Sequence, residues 1–204
     1  MIDFKKALVH FEASDPTMTR LALAALSHER ALTVPKARRP EQYFEELVSS
    51  IVGQQLSTKA ADTIWGRVEA LVGPVTPANL AKVPHDDLRS VGMSHAKANY
   101  VHGLAEDVLS GRLKLNNLDK LADEAVIDRL IAVKGIGRWS AEMFLMFTLG
   151  RPDVFSAGDL GLIRSIETHY ERPGVKPEDV LVLSQRWSPH RTTAALVLWH
   201  SRDN

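Results

Sequence analysis

Apolar side chains recur three and four residues apart along most of the chain, the spacing that places them on one face of an α-helix. In the stretch 41–52 the residues on that face are all apolar, namely Phe44, Leu47, Val48 and Ile51. Alternation of apolar and polar residues, which is typical of β-strands, is nowhere sustained along the sequence. The pattern therefore predicts an all-α protein.

Glycines, prolines and helix-capping residues interrupt this pattern. Asp15 begins one predicted helix, Ser57 or Thr58 begins another, and Asp123 is predicted to cap the helix before a pair of central glycines. The predicted helices and short helical turns span residues 4–12, 16–32, 41–52, 58–72, 77–90, 95–109, 118–122, 123–133, 138–149, 160–170, 177–186 and 189–202. We expect one compact domain over residues 1–204, a two-lobed helical bundle with a cleft between the lobes.

The central glycines lie in the segment KGIG at residues 134–137, between two predicted helices. Glycine suits such a tight connection because it adopts positive φ and lets a partner come close to the backbone. The helix that starts at Arg138 leaves backbone N–H groups that can receive a phosphate. We interpret residues 126–150 as a helix-hairpin-helix motif, with ordinary helix caps as the alternative for the glycines.

Several polar and aromatic residues stand out from their neighbours, and each also has an ordinary structural interpretation. Asp159 is an isolated acid in an uncharged run, and it could equally be the N-cap of the helix that follows. Trp139 and Trp199 are candidates for a binding pocket or for the core. Gln54 and Gln55 are adjacent amides in a break between helices, where they contribute little to packing, and a plain polar loop is their alternative.

The charge balance confines any nucleic-acid surface to a local patch. The chain has 25 Lys and Arg residues against 25 Asp and Glu residues, so its formal net charge is zero. Lys97 begins a predicted helix and could reach a phosphate from such a patch, with a solvated lysine as the alternative. The chain has no cysteine, which excludes disulfides and cysteine-ligated zinc or iron–sulfur clusters.

The sequence also bears on location. Its first residues lack the long apolar region of a signal peptide, and no apolar run is long enough to span a bilayer. We therefore expect a soluble cytoplasmic protein, with no membrane partner.

Four segments together resemble one known group of proteins. They are IVGQQLS at 51–57, LIAVKGIGRWSAEM at 130–143, GRPDVFSAGDLGL at 150–162 and RWSPHRTTAALVLW at 186–199. In this order and spacing they resemble the helix-hairpin-helix superfamily of base-excision DNA glycosylases, and within it the 3-methyladenine DNA glycosylase II, or AlkA-like, group. The resemblance covers roughly residues 41–202.

The resemblance implies a role for each matching residue. Asp159 matches the catalytic aspartate of the family, and Gln55 matches the side chain that wedges into the gap left by an extruded nucleotide. The residues expected to bind DNA are Gln54, Gln55, Lys97, Lys134, Gly135, Ile136, Gly137 and Arg138. The residues expected to line the base pocket are Trp139, Met143, Leu160 and Trp199. The backbone carbonyls of Ile131, Val133 and Ile136 match positions that can hold a structural sodium or potassium ion, and no cofactor is expected for catalysis.

The implied function is excision of alkylated purines, 3-methyladenine and 7-methylguanine, from double-stranded DNA at the start of base excision repair, by a monomer at the nucleoid. Superfamily members with lyase activity carry a lysine just after the hairpin, where this chain has Trp139, so we expect a monofunctional enzyme. Two alternatives are a glycosylase for deaminated or etheno purines and a helix-hairpin-helix DNA-binding module without catalysis.

The sequence also departs from better-known members of the family. Those members carry an additional N-terminal mixed α/β domain, which we expect this chain to lack. Gln55 replaces the apolar wedge of some members. Met143, Leu160 and His190 stand where some relatives have aromatic residues, so the predicted base pocket is less aromatic than theirs. His190 could contact DNA or line the pocket, with a surface histidine as the alternative.

Overall fold

A computed structural model describes residues 2–27 and 35–202 of the chain, and its regular elements are helical throughout. The α-helices are α1 (Phe4–Ser14), α2 (Pro16–Ser27), α3 (Tyr43–Gly53), α4 (Thr58–Val72), α5 (Pro77–Leu80), α6 (His85–Ser90), α7 (His95–Leu109), α8 (Asp123–Ile131), α9 (Arg138–Met143), α10 (Leu160–His169), α11 (Pro177–Ser184) and α12 (Arg191–His200). Single 3₁₀ turns occupy Pro40–Gln42, Leu118–Lys120 and Gln185–Trp187, and a π-helical turn occupies Phe144–Thr148. No strand occurs among the described residues, which confirms the all-α prediction. The predicted extension of the second helix to residue 32 lies outside the described residues.

The chain divides into two compact units. The split unit combines Met1–Ala37 with Leu145–Asn204, and the middle unit is the continuous stretch Arg38–Phe144.

The middle unit is organised around the buried face of α3. The apolar side chains of that face are buried, as its spacing predicts: Tyr43, Phe44, Leu47, Val48, Ile51 and Val52. Helix α3 packs against α4 and α7, α5 and α6 pack against α7, and α8 packs against α9. The hydrophobic surface removed from water on these faces stabilises the unit.

The split unit is assembled from both ends of the chain. Helix α12 packs against α2 and α10, and α1 packs against α2 and the 3₁₀ turn at Gln185–Trp187. Asp15 is 2% exposed and joins these distant segments. Its Oδ2 accepts hydrogen bonds from the hydroxyl of Tyr170 and the indole of Trp187, both at 2.9 Å, and its Oδ1 accepts one from the amide of Met18 at 3.0 Å.

Three predicted helix boundaries are wrong. The N-cap of α8 is Ala122, not Asp123, because Ala122 has the extended backbone and Asp123 is already helical; the acidic side chain still lies in the first turn, where the helix dipole favours it. The helix predicted over 138–149 is α-helical only to Met143 and then widens into the π turn. The last helix begins at Arg191, two residues after Pro189.

No helix among residues 2–27 and 35–202 is both long enough and apolar enough to cross a membrane.

Candidate active site

The Asp159 carboxylate lies at the start of α10 and is held by two donors. Asp159 is the N-cap of α10, and its Oδ1 accepts the backbone N–H of Leu162 at 2.8 Å. The same oxygen accepts the indole N–H of Trp199, on α12, at 3.0 Å. The capping interpretation is therefore correct, and it does not exclude a chemical role. Both bonds go to the same carboxylate oxygen, Oδ1.

Trp199 and Phe147 form an aromatic pair next to this carboxylate. Their ring centroids are 6.1 Å apart and the rings are inclined by 28°, a stacked arrangement. Trp199 is partly buried, whereas Phe147 is 41% exposed on the π-helical turn. Leu160, the first residue of α10, is 68% exposed. The sequence placed Phe147 only among the apolar residues of a helix, because nothing in the spacing of an α-helix announces a π turn.

A glycine lies against the same carboxylate. A Cβ atom on Gly161 would be 2.9 Å from Oδ1 of Asp159, 3.2 Å from Cδ1 of Trp199 and 2.8 Å from Nη1 of Arg202. The close approach of α10 to Asp159 and Trp199 therefore requires a residue without a side chain.

The segment that leads to Asp159 is fixed to the N-terminus of α12 by Asp153. Its carboxylate accepts the backbone N–H of Arg191 at 3.2 Å, two bonds from the Arg191 guanidinium at 2.8 and 3.0 Å, and the hydroxyl of Ser188 at 2.8 Å. Burial raises the pKa of Asp153, but the bonds from Arg191 and Ser188 outweigh it and hold the pKa below its ordinary value. Thr192 adds a hydrogen bond from its hydroxyl to the carbonyl of Arg151 at 2.7 Å.

The predicted hairpin lies in the middle unit, between α8 and α9. Gly135 has φ of 97°, and a Cβ atom there would overlap the ring of Tyr100. Gly137 is the N-cap of α9 with extended backbone, and a Cβ atom there would meet nothing within 4 Å. Ile136 is buried and anchors the turn, whereas Lys134 is exposed. Of the two glycines, only Gly135 is required by positive φ and by a close neighbour.

Arg138 is engaged by acidic partners in this structure. Its guanidinium donates two hydrogen bonds to Glu124, at 2.8 and 3.2 Å, and one to Glu142 at 3.0 Å. The hydrogen bonds to Glu124 are the main reason why the pKa of Arg138 is raised. A DNA phosphate would have to compete with these carboxylates for the guanidinium.

The loop of residues 53–57 joins α3 to α4 and carries Gln55 in an unusual conformation. The N–H of Leu56 donates to the carbonyl of Gly53 at 3.2 Å, and Gln54 and Gln55 have φ of −53° and 58°. These values correspond to a type II turn, whose third position is normally glycine or asparagine. Gln55 is exposed there. A side chain kept at a strained position suggests a use for that side chain.

Gln54 and Lys97 make internal hydrogen bonds that the sequence does not show. The amide of Gln54 donates to the carbonyl of Gly135 at 2.9 Å. The ammonium group of Lys97 donates to the carbonyls of Val52 and Gln54 at 2.8 and 2.6 Å, and partial burial lowers its pKa. Both side chains therefore have partners within the protein. Their contacts with DNA stay predictions.

Two further residues predicted for the base pocket, Trp139 and Met143, lie in the middle unit. Trp139 is 49% exposed on α9 and Met143 is partly buried at its end, both in the middle unit, so the core interpretation of Trp139 is wrong. His190 belongs to the split unit, where its ring lies 5.6 Å from the ring of His10. Burial, and then the nearby His10, lower the pKa of His190.

The carbonyls predicted to hold a monovalent cation lie where α8 ends. Ile131 is the last residue of α8, and the carbonyl of Val133 accepts the N–H of Ile136 at 3.1 Å. Carbonyl oxygens at the negative end of a helix fit a hard cation such as sodium or potassium. Among the described residues no group of His, Cys, Asp and Glu side chains is arranged to hold a metal ion.

Comparison with known proteins identifies the family of this chain. Residues 48–190 match the family described as HhH-GPD superfamily base excision DNA repair protein. A putative DNA-3-methyladenine glycosylase of Bacillus subtilis is 33% identical over 76% of this chain, and the chain spans 57% of that relative's length.

Two solved structures are similar to this chain over nearly all of its length. A DNA-3-methyladenine glycosidase from Bacillus halodurans is 39% identical, with a TM-score of 0.80 over 97% of this chain and 88% of the other. A 3-methyladenine DNA glycosylase of Schizosaccharomyces pombe, in complex with abasic DNA, is 31% identical, with a TM-score of 0.83 over 98% of this chain and 97% of the other. The chain therefore belongs to the HhH-GPD superfamily of base excision DNA repair proteins, and within it to the family of DNA-3-methyladenine glycosylases.

Proposed function

We propose that this protein is a monofunctional DNA glycosylase that extrudes alkylated purines from double-stranded DNA and hydrolyses their N-glycosidic bond. The observation that carries the proposal is the Asp159 carboxylate, oriented by Leu162 and Trp199 beside the exposed ring of Phe147. The names of the related proteins support the same class of damaged base.

The chemistry of alkylated purines explains why these residue types suit the task. A base inside a duplex is inaccessible, and flipping it out costs a few kcal/mol. N3- and N7-alkylated purines carry a positive charge. A cationic base stacks favourably on an electron-rich ring such as that of Trp199. The same charge makes the base a good leaving group, so little help from a general acid is required.

Asp159 acts on the sugar. As the bond to the base breaks, the sugar becomes similar to an oxocarbenium ion, and a nearby carboxylate stabilises that positive charge. The carboxylate also orients or deprotonates the attacking water. The two hydrogen bonds to Oδ1 fix the direction of the carboxylate before the substrate arrives.

We propose that the enzyme lacks lyase activity because of the residue directly after the hairpin. In superfamily members with lyase activity, a lysine amine directly after the hairpin forms a Schiff base with the abasic sugar, and this chain has Trp139 at that position. Incubation of the product with the enzyme alone should leave the strand intact until alkali is added. Strand cleavage without alkali would show that this part of the proposal is wrong.

Asp159→Asn tests the catalytic role while keeping the oxygen that accepts the two hydrogen bonds. Asparagine is as good an N-cap as aspartate, and its Oδ1 still accepts from Leu162 and Trp199. We expect release of 3-methyladenine and 7-methylguanine from alkylated duplex DNA to fall by about 10²–10⁴-fold. Binding to abasic DNA and the melting temperature should stay close to the wild type. Undiminished release would remove Asp159 from the mechanism.

The same assay separates the alternative functions. Duplexes with hypoxanthine or ethenoadenine in place of the methylated purine test the neutral-purine alternative. Release of neither class by wild-type protein that still binds abasic DNA would favour the non-catalytic binding module.

A further inference from the structure

Helix α7 contacts the two segments of the middle unit that are expected to bind DNA, the loop of residues 53–57 and the hairpin. From its first turn, Lys97 donates to the carbonyls of Val52 and Gln54, on either side of Gly53. One turn later, the ring of Tyr100 fills the space where Gly135 would carry a Cβ atom. Residues three apart on a helix lie on the same face, so one face of α7 supports both the loop and the hairpin.

Gln54 completes the connection by joining the loop directly to the hairpin. Its side-chain amide donates to the carbonyl of Gly135 at 2.9 Å, across 81 residues of sequence. Its own backbone carbonyl is one of the two that Lys97 binds, at 2.6 Å. Lys97, Gln54 and the turn at Gly135 therefore form a continuous polar bridge, which we call the Lys97–Gln54 bridge.

The bridge acts where the backbone needs support. Carbonyls in the last turn of α3 lack partners within the helix, and a positive charge at a helix C-terminus is favourable. Directly after Gln54, Gln55 has φ of 58°, a left-handed conformation that is unfavourable for a residue with a side chain. Such a conformation persists only when its surroundings fix it. Lys97 and Gln54 fix the residue immediately before it.

We infer that Lys97 and Gln54 are positioning residues that hold Gln55 at a fixed position relative to the hairpin. Binding of the DNA backbone by the hairpin and insertion of Gln55 into the gap are therefore coupled. This inference rests on the proposed function and on the roles that the resemblance implies, in which the hairpin binds DNA and Gln55 enters the gap. Without the bridge the hairpin still binds, but Gln55 withdraws more often.

The test is a double-variant cycle on a duplex with an abasic-site analogue opposite 2-aminopurine. Insertion of Gln55 beside the 2-aminopurine changes its fluorescence, which is measured at protein concentrations that saturate binding. We expect Lys97→Met to shift the equilibrium between inserted and withdrawn Gln55 by about 3–10-fold, the effect of losing one or two net hydrogen bonds. Gln55→Ala should abolish the fluorescence change. Combining Lys97→Met with Gln55→Ala should then have no further effect.

Matched variants separate positioning from general stability. Lys82→Met removes the same charge from an exposed site in the middle unit and should keep the full signal. Lys97→Arg keeps donors for both carbonyls and should restore most of it. Gln54→Leu breaks only the bond to Gly135 while leaving the backbone carbonyl that Lys97 uses, and it covers the case in which Lys97→Met fails to fold. Melting temperatures of all variants are measured in parallel.

The inference is overturned if Lys97→Met and Gln54→Leu leave the fluorescence change at its wild-type size, or if Lys97→Arg is as impaired as Lys97→Met. An unchanged signal in Gln55→Ala would overturn it too, since the bridge would then have nothing to position. This readout needs only abasic DNA, so it is independent of base release. A wild-type protein that releases no methylated base would refute the proposed function and leave the cycle interpretable.

Discussion

At the scale of single residues, the carboxylate of Asp159 serves the helix and the proposed reaction at once. Its Oδ1 caps α10 and binds Trp199, so the position of the acid depends on how closely α10 and α12 approach each other. The hydroxyls of Ser165 and Ser201 hydrogen-bond at 3.0 Å between the same two segments. Gly161 allows that approach because it adds no atoms between them.

Gly161→Ala should therefore slow base release although alanine is the better helix former. The added Cβ would lie 2.9 Å from Oδ1 of Asp159, which two hydrogen bonds hold in place, so the carboxylate must shift. Misplacement of a catalytic group by about 1 Å can cost about 10²-fold, and we expect single-turnover release to fall by about 10–100-fold.

Gly66→Ala is the matched control for this prediction. Gly66 also lies within a helix, and a Cβ atom there meets nothing within 4 Å. It should keep full activity and gain about 0.5–1 kcal/mol of stability. Equal activity of the two variants would show that the space at Gly161 does not control the reaction.

At the scale of elements, the hairpin contains two glycines with different physical roles. Gly135 is required by the fold, because its φ is positive and Tyr100 lies against it. Gly137 has an ordinary φ and open space on the side where a Cβ would be. Only the second glycine can be changed without disturbing the turn.

Gly137→Ala should thus separate folding from DNA binding. We expect its melting temperature to stay within about 2–4 °C of the wild type, the shift for about 1 kcal/mol in a protein of this size. Its affinity for abasic DNA should fall if a phosphate approaches the α9 amides, and the salt dependence should weaken by the equivalent of about one phosphate contact. Affinity is measured by fluorescence anisotropy at several salt concentrations.

Gly135→Ala provides the contrast. Positive φ and the overlap with Tyr100 both oppose alanine, so this variant should lose stability as well as affinity. If Gly137→Ala binds DNA as the wild type does, the backbone approach at that residue is not part of the interface.

At the scale of the whole molecule, the split unit depends on contacts between the two ends of the chain. Asp15 follows α1, whereas its partners Tyr170 and Trp187 lie more than 150 residues later. Burial and the neighbouring Asp15 carboxyl raise the pKa of Tyr170 well above its ordinary value, so Tyr170 remains a hydrogen-bond donor. The carboxyl group therefore fastens the N-terminal segment to the segments around α10 and α12.

Asp15→Asn tests this fastening. Asparagine keeps the oxygen that accepts from Met18, but its NH₂ group cannot accept from Trp187 or Tyr170. A buried donor left unsatisfied costs about 1–3 kcal/mol, so we expect a loss on the order of 3 kcal/mol in the free energy of unfolding. Tyr170→Phe, which removes one donor and leaves the other bonds, should cost about 1 kcal/mol. Urea unfolding measures both, and equal losses would contradict this account.

Short-range patterns in the sequence predicted most of the helices. The bounds of α7 agree with the prediction over 95–109, and the buried face of α3 consists of the apolar residues that its spacing indicates. Helix α8 was predicted with the wrong cap, since Ala122 and Asp123 are both compatible with a helix start and only the backbone angles distinguish them. The resemblance of four motifs identified the family, which the comparisons confirm.

The candidate site could be predicted only in part. Asp159 was singled out as an isolated acid, but its bond to Trp199 spans 40 residues and no local pattern reports it. Arg138 was expected to contact DNA. Its two hydrogen bonds to Glu124 join different helices, which no local pattern shows, and its bond to Glu142, four residues later in α9, was also missed. Phe147 and Gly161 were not identified as site residues, since their importance arises from what lies beside them.

The sequence by itself determined the helices and the glycine turn of the hairpin, because helical periodicity and turn conformation are properties of neighbouring residues. The family followed from the order and spacing of four motifs, which are also read directly from the sequence. The tertiary structure decided what each polar side chain binds. Hydrogen bonds such as those from Gln54 to Gly135 and from Lys97 to Val52 join residues 81 and 45 positions apart. Their donors and acceptors meet only when hydrophobic burial has packed the helices, so the partner of a polar residue is a property of the fold.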